Sequence, residues 1–202
     1  AIIVGTGLGA SRGILIRSGE ALQRVQEIDV IMLDKTGTVT LGKPQVTDII
    51  ALSVTDDELL KIAATAEQLS DHPLAKAICQ AAKERDLTQE SVQEDFENLS
   101  GMGLKLKYEG KTLLVGNSRL MDENKISLGT VEADMNRLSQ EGKTPMLIAL
   151  GGELLGVISV SDTIKESSIQ AIESMHKLGI ETVLLTGDNQ QAAEYIGGIV
   201  GT

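Results

Sequence analysis

Asp34 opens the run Asp34-Lys35-Thr36-Gly37-Thr38-Val39-Thr40, and six apolar-rich residues, Ile28–Leu33, lead into it. An aspartate at the end of a buried strand, followed by a turn of small residues, presents one carboxylate above a set of backbone N–H groups. Such a carboxylate can attack phosphorus and form an aspartyl-phosphate. Phosphoryl transfer depends mainly on positioning and on charge neutralisation, so amides, hydroxyls and a cation are the expected helpers. Lys35, Thr36 and Thr38 are placed to supply them. An aspartate in this setting can equally do no more than cap its turn. A second apolar run, Ile180–Leu185, stops in the same way at Thr186-Gly187-Asp188-Asn189.

Elements that would position these groups follow from periodicity. Runs of about six apolar residues read as strands of a parallel sheet. Ile169, Ile172 and Met175 mark a helix over 166–178, and Gly179 sits where a helix-ending glycine belongs. Another helix begins near Gln190. Strand–helix alternation of this kind predicts an α/β sheet whose chemistry collects at the carboxyl ends of its strands. The middle reads differently. Pro44–Leu52 predicts a strand, and Thr55-x-x-Glu58 is a capping box ahead of a helix carrying Leu59, Ile62, Ala63 and Ala66. Pro73 fits the first position of the next helix. Gly103–Gly116 predicts a hairpin about Glu109-Gly110, and Val131, Met135 and Leu138 mark a third helix. Met146–Val160 divides at Gly151-Gly152, a two-residue turn signal. The expectation is an α+β unit with an antiparallel sheet, inserted between two halves of the α/β part.

The combination resembles the P-type ATPases. DKTGTVT is similar to their phosphorylation motif, Thr186–Asn189 to their T-G-D-N segment, and Asp162-x-x-Lys165 to their D-x-x-K. The middle resembles the heavy-metal-transporting branch. Ser70-Asp71-His72-Pro73-Leu74-Ala75 is similar to its S-E-H-P-L-A, with Asp71 in place of Glu. Glu67 stands five residues before His72, like that branch's adenine-contacting glutamate. Gly101-Met102-Gly103 and Gly116-Asn117 resemble its G-x-G and G-N. An imidazole can stack on or hydrogen-bond a purine, paired glycines let backbone approach the ring, and a carboxylate can accept from an amino group.

The resemblance implies a haloacid-dehalogenase-like phosphorylation domain, 1–44 and 161–202, with an inserted nucleotide-binding domain, 45–160. It implies ATP and Mg²⁺ as cofactors, an aspartyl-phosphate at Asp34, and metal export across a membrane. Lys35, Thr36, Thr186 and Asp188 would border the phosphate. Asp34 and the Thr36 main-chain oxygen would hold Mg²⁺. Glu67, His72, Gly101, Gly103 and Asn117 would hold adenosine. The stretch Val4–Gly19 looks most like copper exporters, which makes copper(I) the expected cargo. The parent would sit in the cell membrane with this segment cytoplasmic, and its transmembrane and actuator domains would be the partners. The family's phosphoryl-neutralising lysine and G-D-G-x-N-D segment follow T-G-D-N. No lysine occurs over 189–202, so the segment is expected to bind nucleotide while being catalytically incomplete.

Composition agrees. The 202 residues hold 18 basic and 29 acidic side chains, a net charge of −11 that argues against a nucleic-acid partner. The charge is uneven. Residues 1–44 carry 5 basic and 4 acidic groups, 45–160 carry 11 and 19, and 161–202 carry 2 and 6. No run of about 20 apolar residues reads as a membrane span. No basic n-region with a cleavage site is found, so a signal peptide is not expected. Cys79 is the single cysteine, so an internal disulfide and a cysteine-cluster metal site are excluded, and its helix-face position reads as core. The six methionines read as packing, and His176 as a favourable charge near a helix end.

Two alternatives compete, and two motif-like patterns are decoys. A soluble phosphatase with a cap domain would share Asp34 but usually carries a second acid at position 36, where this chain has Thr36. A non-catalytic nucleotide-binding module is another. The pattern Gly5-x-Gly7-x-x-Ala10 fits a dinucleotide fingerprint, but its strand would be four residues long and Ser11-Arg12-Gly13 would break the helix. A Walker A loop at Gly142-Lys143-Thr144 fails because position 137 is Arg137.

Overall fold

Central strands that are apolar on both faces dictate the main layer of the molecule. A computed structural model describes residues 2–88, 95–187 and 190–202. In chain order the elements are α1 (Ile2–Ser11), α2 (Gly19–Arg24), β1 (Val30–Asp34), β2 (Thr40–Ala51), α3 (Asp56–Glu67) and α4 (Pro73–Glu84). They continue with β3 (Glu97–Leu99), β4 (Gly103–Tyr108), β5 (Lys111–Gly116), α5 (Ser118–Glu123), α6 (Val131–Gln140) and β6 (Thr144–Leu150). The last four are β7 (Glu153–Ile164), α7 (Glu166–Lys177), β8 (Glu181–Leu185) and α8 (Gln190–Val200).

Six strands form an antiparallel sheet in the order β2-β7-β6-β5-β4-β3. On one face Leu113, Val115, Ile148, Ile158 and Val160 meet Leu59, Ala63 and Ile78 of α3 and α4. On the other, Leu114, Leu147, Ala149 and Val157 meet Leu120, Met121, Val131 and Leu138 of α5 and α6. Fully buried side chains of this size stabilise the fold by roughly 1.5–3 kcal/mol each before entropy is counted. Helices on both faces explain why Met146–Val160 is apolar almost throughout instead of alternating with polar residues.

β1 and β8 pair in parallel, with Asp34 opposite Leu185. Beneath them lies a smaller core of Val39, Ile172 and Val200 with Leu33, Ile164 and Leu184 packed on it. The predicted strands at 28–33 and 180–185 are therefore neighbours, and the parallel α/β expectation holds there. The predicted antiparallel unit is present too. Its hairpins turn at Glu109 (φ 49°) and Gly110 (φ 75°), and at Gly151 (φ 62°) and Gly152 (φ 92°), positive φ angles that carry a tight two-residue turn.

Two differences bear on the site. The strand predicted from Pro44 begins at Thr40, because β2 pairs with β7 out to Thr40 opposite Ile164, across an irregularity between Thr40 and Pro44. Both long strands therefore reach the loop after Asp34. The glycines of the dinucleotide-like pattern lie inside α1, not at a strand-to-helix turn. Gly5 faces Leu22 and Gly9 faces Ile16, both close enough that an added Cβ would crowd them, so these glycines serve helix packing. Cys79 is half-buried, its thiol directed at the Ala64 carbonyl 3.6 Å away. His176 lies in the last turn of α7, its Nε2 2.7 Å from the Thr182 hydroxyl. No described helix is long and apolar enough to cross a membrane.

Candidate functional site

The carboxyl end of β1 delivers Asp34 to the surface, with an exposed side chain. The chain then turns through Thr36 (φ −77°, ψ 118°) and Gly37 (φ 78°, ψ −14°), the pair of conformations of a type II turn. A glycine at 37 is what permits the second of them. Since Asp34 lies opposite Leu185, Thr186 and Gly187 emerge beside Asp34 and Lys35. Lys35 and Thr186 are both half-buried and each interacts with other groups of the protein. Asp188, the remaining residue expected at the phosphate, lies outside the described residues.

Two side chains from the far end of the sequence hold this loop. Lys165 Nζ donates to the carbonyl oxygens of Gly37 (2.7 Å) and Thr38 (3.0 Å), and its backbone N–H donates to Val39 (3.0 Å). Asp162 accepts the Thr40 hydroxyl, the Gly42 N–H at 3.1 Å and the Lys43 N–H at 3.0 Å. The Thr40 hydroxyl in turn accepts from the Gly37 N–H at 3.2 Å. The Asp162-x-x-Lys165 spacing thus sets a carboxylate against the amide side of the loop and an ammonium against its carbonyl side. The sequence marked these two residues by resemblance alone and gave them no role. Removing the carboxylate takes one partner from the buried Thr40 hydroxyl, which keeps the Lys35 carbonyl (2.9 Å) and the Gly37 N–H, and it releases two exposed amides to water. Asp162→Ala is expected to cost about 2–3 kcal/mol in urea unfolding. It should also speed hydrogen exchange at Gly42 and Lys43. Unchanged exchange there would show that the clamp does not order the loop.

The second cluster is a cavity of about 330 Å³ at the junction of α3, α4 and the β4–β5 edge. Glu67, His72, Gly101, Gly103 and Asn117, the five residues assigned to adenosine from the sequence, all line it. Ser70, Asn98, Met102, Thr144 and Met146 complete much of its wall, and the sequence assigned a ligand role to none of them. His72 precedes Pro73, and its Nδ1 accepts from the Leu74 N–H at 3.2 Å. That bond caps α4. His72 is thus both the cap of α4 and a lining residue of the cavity.

Asn117 is a lock in the wall. Its Nδ2 donates to Gly101 O at 2.9 Å, its Oδ1 accepts from the Leu120 N–H at 3.2 Å, and its backbone N–H donates to Met102 O at 2.9 Å. One residue thus ties the 101–103 turn to the start of α5. Gly103 and Gly116 face each other across β4 and β5, and a Cβ on either would fall on neighbouring backbone. Glu67, the last residue of α3, is 4% exposed, and burial pushes its carboxyl up to about 7.

Residues 28–202 match the family of haloacid dehalogenase-like hydrolases. The chain belongs to that family. It is related along 99% of its length to heavy-metal P-type ATPases, being 44% identical over 201 residues to a copper-exporting P-type ATPase of Staphylococcus aureus, of which it spans 24%. A copper-transporting ATPase of Rhizobium meliloti is 42% identical over 201 residues. Among solved structures, a zinc-transporting PIB-type ATPase in its E2.Pi state superposes with a TM-score of 0.89 at 35% identity, covering 100% of this chain and 32% of that one. The chain spans about a quarter of the length of the curated relatives it matches. Asp34 stands exposed at the carboxyl end of β1, beside Leu185 at the end of β8.

Proposed function

We propose that the chain is the ATP-binding and phosphorylation segment of a heavy-metal-exporting P-type ATPase. The observation that carries the reading is the convergence of Glu67, His72, Gly101, Gly103 and Asn117 on one cavity, with Asp34 exposed elsewhere at a strand end. Residues 45–160 act as the nucleotide-binding domain, inserted between the phosphorylation-domain halves 1–44 and 161–202. The adjacent strands β2 and β7 form its double connection. Adenosine occupies the cavity, and the phosphates extend toward Asp34.

In this mechanism one carboxylate oxygen of Asp34 forms a bond to the γ-phosphorus as the bond to the β–γ bridging oxygen breaks. ADP leaves with that oxygen, and the protein keeps an acyl phosphate that water later hydrolyses. The Lys35 ammonium offsets charge on the transferred group, the Thr36 and Thr186 hydroxyls donate to it, and Asp188 is assigned to the phosphate by resemblance alone. Asp34 and the Thr36 carbonyl are hard oxygen donors that suit Mg²⁺, and no described cluster of three or more His, Cys, Asp or Glu could hold a metal ion by itself. This donor set matches an ion completed by phosphate oxygens and water. Bound there, Mg²⁺ would neutralise charge on the phosphates.

The cargo proposed is copper(I), carried by parts of the parent chain outside this segment. Support comes from the copper-named relatives at 42–44% identity, while the zinc transporter shares the fold at 35%. The parent lies in the cell membrane with this segment on the cytoplasmic side, where its transmembrane and actuator domains are the partners.

Calorimetric titration with ATP tests the adenosine site. Binding in the micromolar-to-millimolar range is expected, and His72→Ala should weaken it roughly tenfold, the loss of about 1.4 kcal/mol of stacking or hydrogen bonding. Equal affinity for the variant would sink the assignment.

A further inference from the structure

The cavity contains a carboxyl group in an unusual setting. Glu67 is 4% exposed, and no side-chain hydrogen bond from a described group satisfies it. Around it the walls are neutral or apolar: Asn98 of β3, Gly103 of β4, Gly116 of β5 and Met146 of β6. Among the described lining residues, His72 at the start of α4 is the only other titratable side chain. Among the described residues, no lysine or arginine lines the cavity to hold a carboxylate there.

We propose that Glu67 reads the adenine base as a neutral carboxylic acid, its O–H donated to a ring nitrogen and its carbonyl oxygen accepting from the exocyclic amino group. The inference rests on the reading that the cavity takes adenine. The acid form offers one donor beside one acceptor, which complements a base edge carrying one acceptor beside one donor. The ionised form offers acceptors only. One of its oxygens would face the ring-nitrogen lone pair, and a bound base would strip the charge of its remaining water without a cation to offset it. Desolvation already favours the acid, with the carboxyl titrating at about 7. Near neutral pH roughly half of the molecules are binding-competent, and above it binding must draw a proton from solution.

Adenosine is the suitable probe, because it lacks the phosphate that titrates near neutrality. The intact chain is titrated at about pH 6 and about pH 8, alongside Glu67→Gln, whose amide reproduces the donor–acceptor pair without titrating. The expected result is an apparent Kd about tenfold weaker at the higher pH for the native protein. Glu67→Gln should match the native low-pH affinity at both pH values. His72→Ala should weaken binding at both and keep the ratio. Native binding that is flat with pH, a Glu67→Gln variant that binds weakly at both, or one that retains the native pH dependence would each overturn the acid assignment while leaving the adenine site standing. Absence of binding by folded native protein to both adenosine and ATP would overturn the site itself, and this inference with it.

Discussion

Asp34→Asn is expected to abolish transfer of labelled phosphate from ATP to the protein, a loss on the order of a thousandfold or more. ATP affinity should stay within about twofold, because the base would be held elsewhere. The substitution is almost isosteric and removes only the anionic nucleophile. The loop around it does not depend on the Asp34 carboxylate: Gly37 and Thr38 are held by Lys165, and Thr40, Gly42 and Lys43 by Asp162. A carboxamide can still accept hydrogen bonds, but it cannot form the mixed anhydride. The test is acid-quenched labelling of the parent-length chain and of this segment, with hydroxylamine sensitivity as the signature of an acyl phosphate. Asp34→Ala run in parallel excludes deamidation of the introduced amide. Hydroxylamine-sensitive label in both variants would place the phosphoryl acceptor somewhere other than Asp34.

How far the site could be read beforehand depended on whether its determinants are local. The Asp34–Thr40 turn is local, so one strand, one turn and one glycine at positive φ are visible in consecutive residues. His72 is similar, since Pro73 fixes the helix start and the cap follows. The clamp is not local. Asp162 lies 120 residues from Gly42, and Lys165 lies 128 from Gly37, and they meet only because β2 pairs with β7 beyond Pro44. A proline and a bulge at that point end the apparent strand too early. β3 is three residues long and α5 six, too short for either period to register, so both passed unrecognised. Glu67 ends an amphipathic helix, where a charged residue ordinarily meets water. Its burial comes from the neighbouring strands and α4, and no pattern inside α3 announces it. The glycines at 101, 103 and 116 were legible as a group, but their separate reasons were not.

Those reasons differ enough to give opposite expectations for the same substitution. Gly103 and Gly116 are paired residues of β4 and β5 at the cavity floor. At Gly103, with φ 139°, an added Cβ would land on the Val115 carbonyl and 2.6 Å from Gly116 Cα. At Gly116 it would land on the Met102 carbonyl and 2.8 Å from Leu120 Cδ2. The first obstacle at each site is backbone, which cannot rotate away as a side chain can. Separating the strands would break the Asn117–Met102 bond and pull the 101–103 turn from α5. Gly103→Ala and Gly116→Ala are therefore each expected to destabilise the fold by about 3–5 kcal/mol and to remove measurable ATP binding. Gly101 has φ 73°, but a Cβ there would meet nothing within 4 Å. Gly101→Ala bears only the left-handed backbone cost within the protein, about 1–2 kcal/mol, and should fold. Urea unfolding and calorimetry on the three variants separate close packing from backbone conformation. Equal losses at all three positions would mean that backbone conformation, and not the approach of β4 to β5, is what demands glycine in this wall.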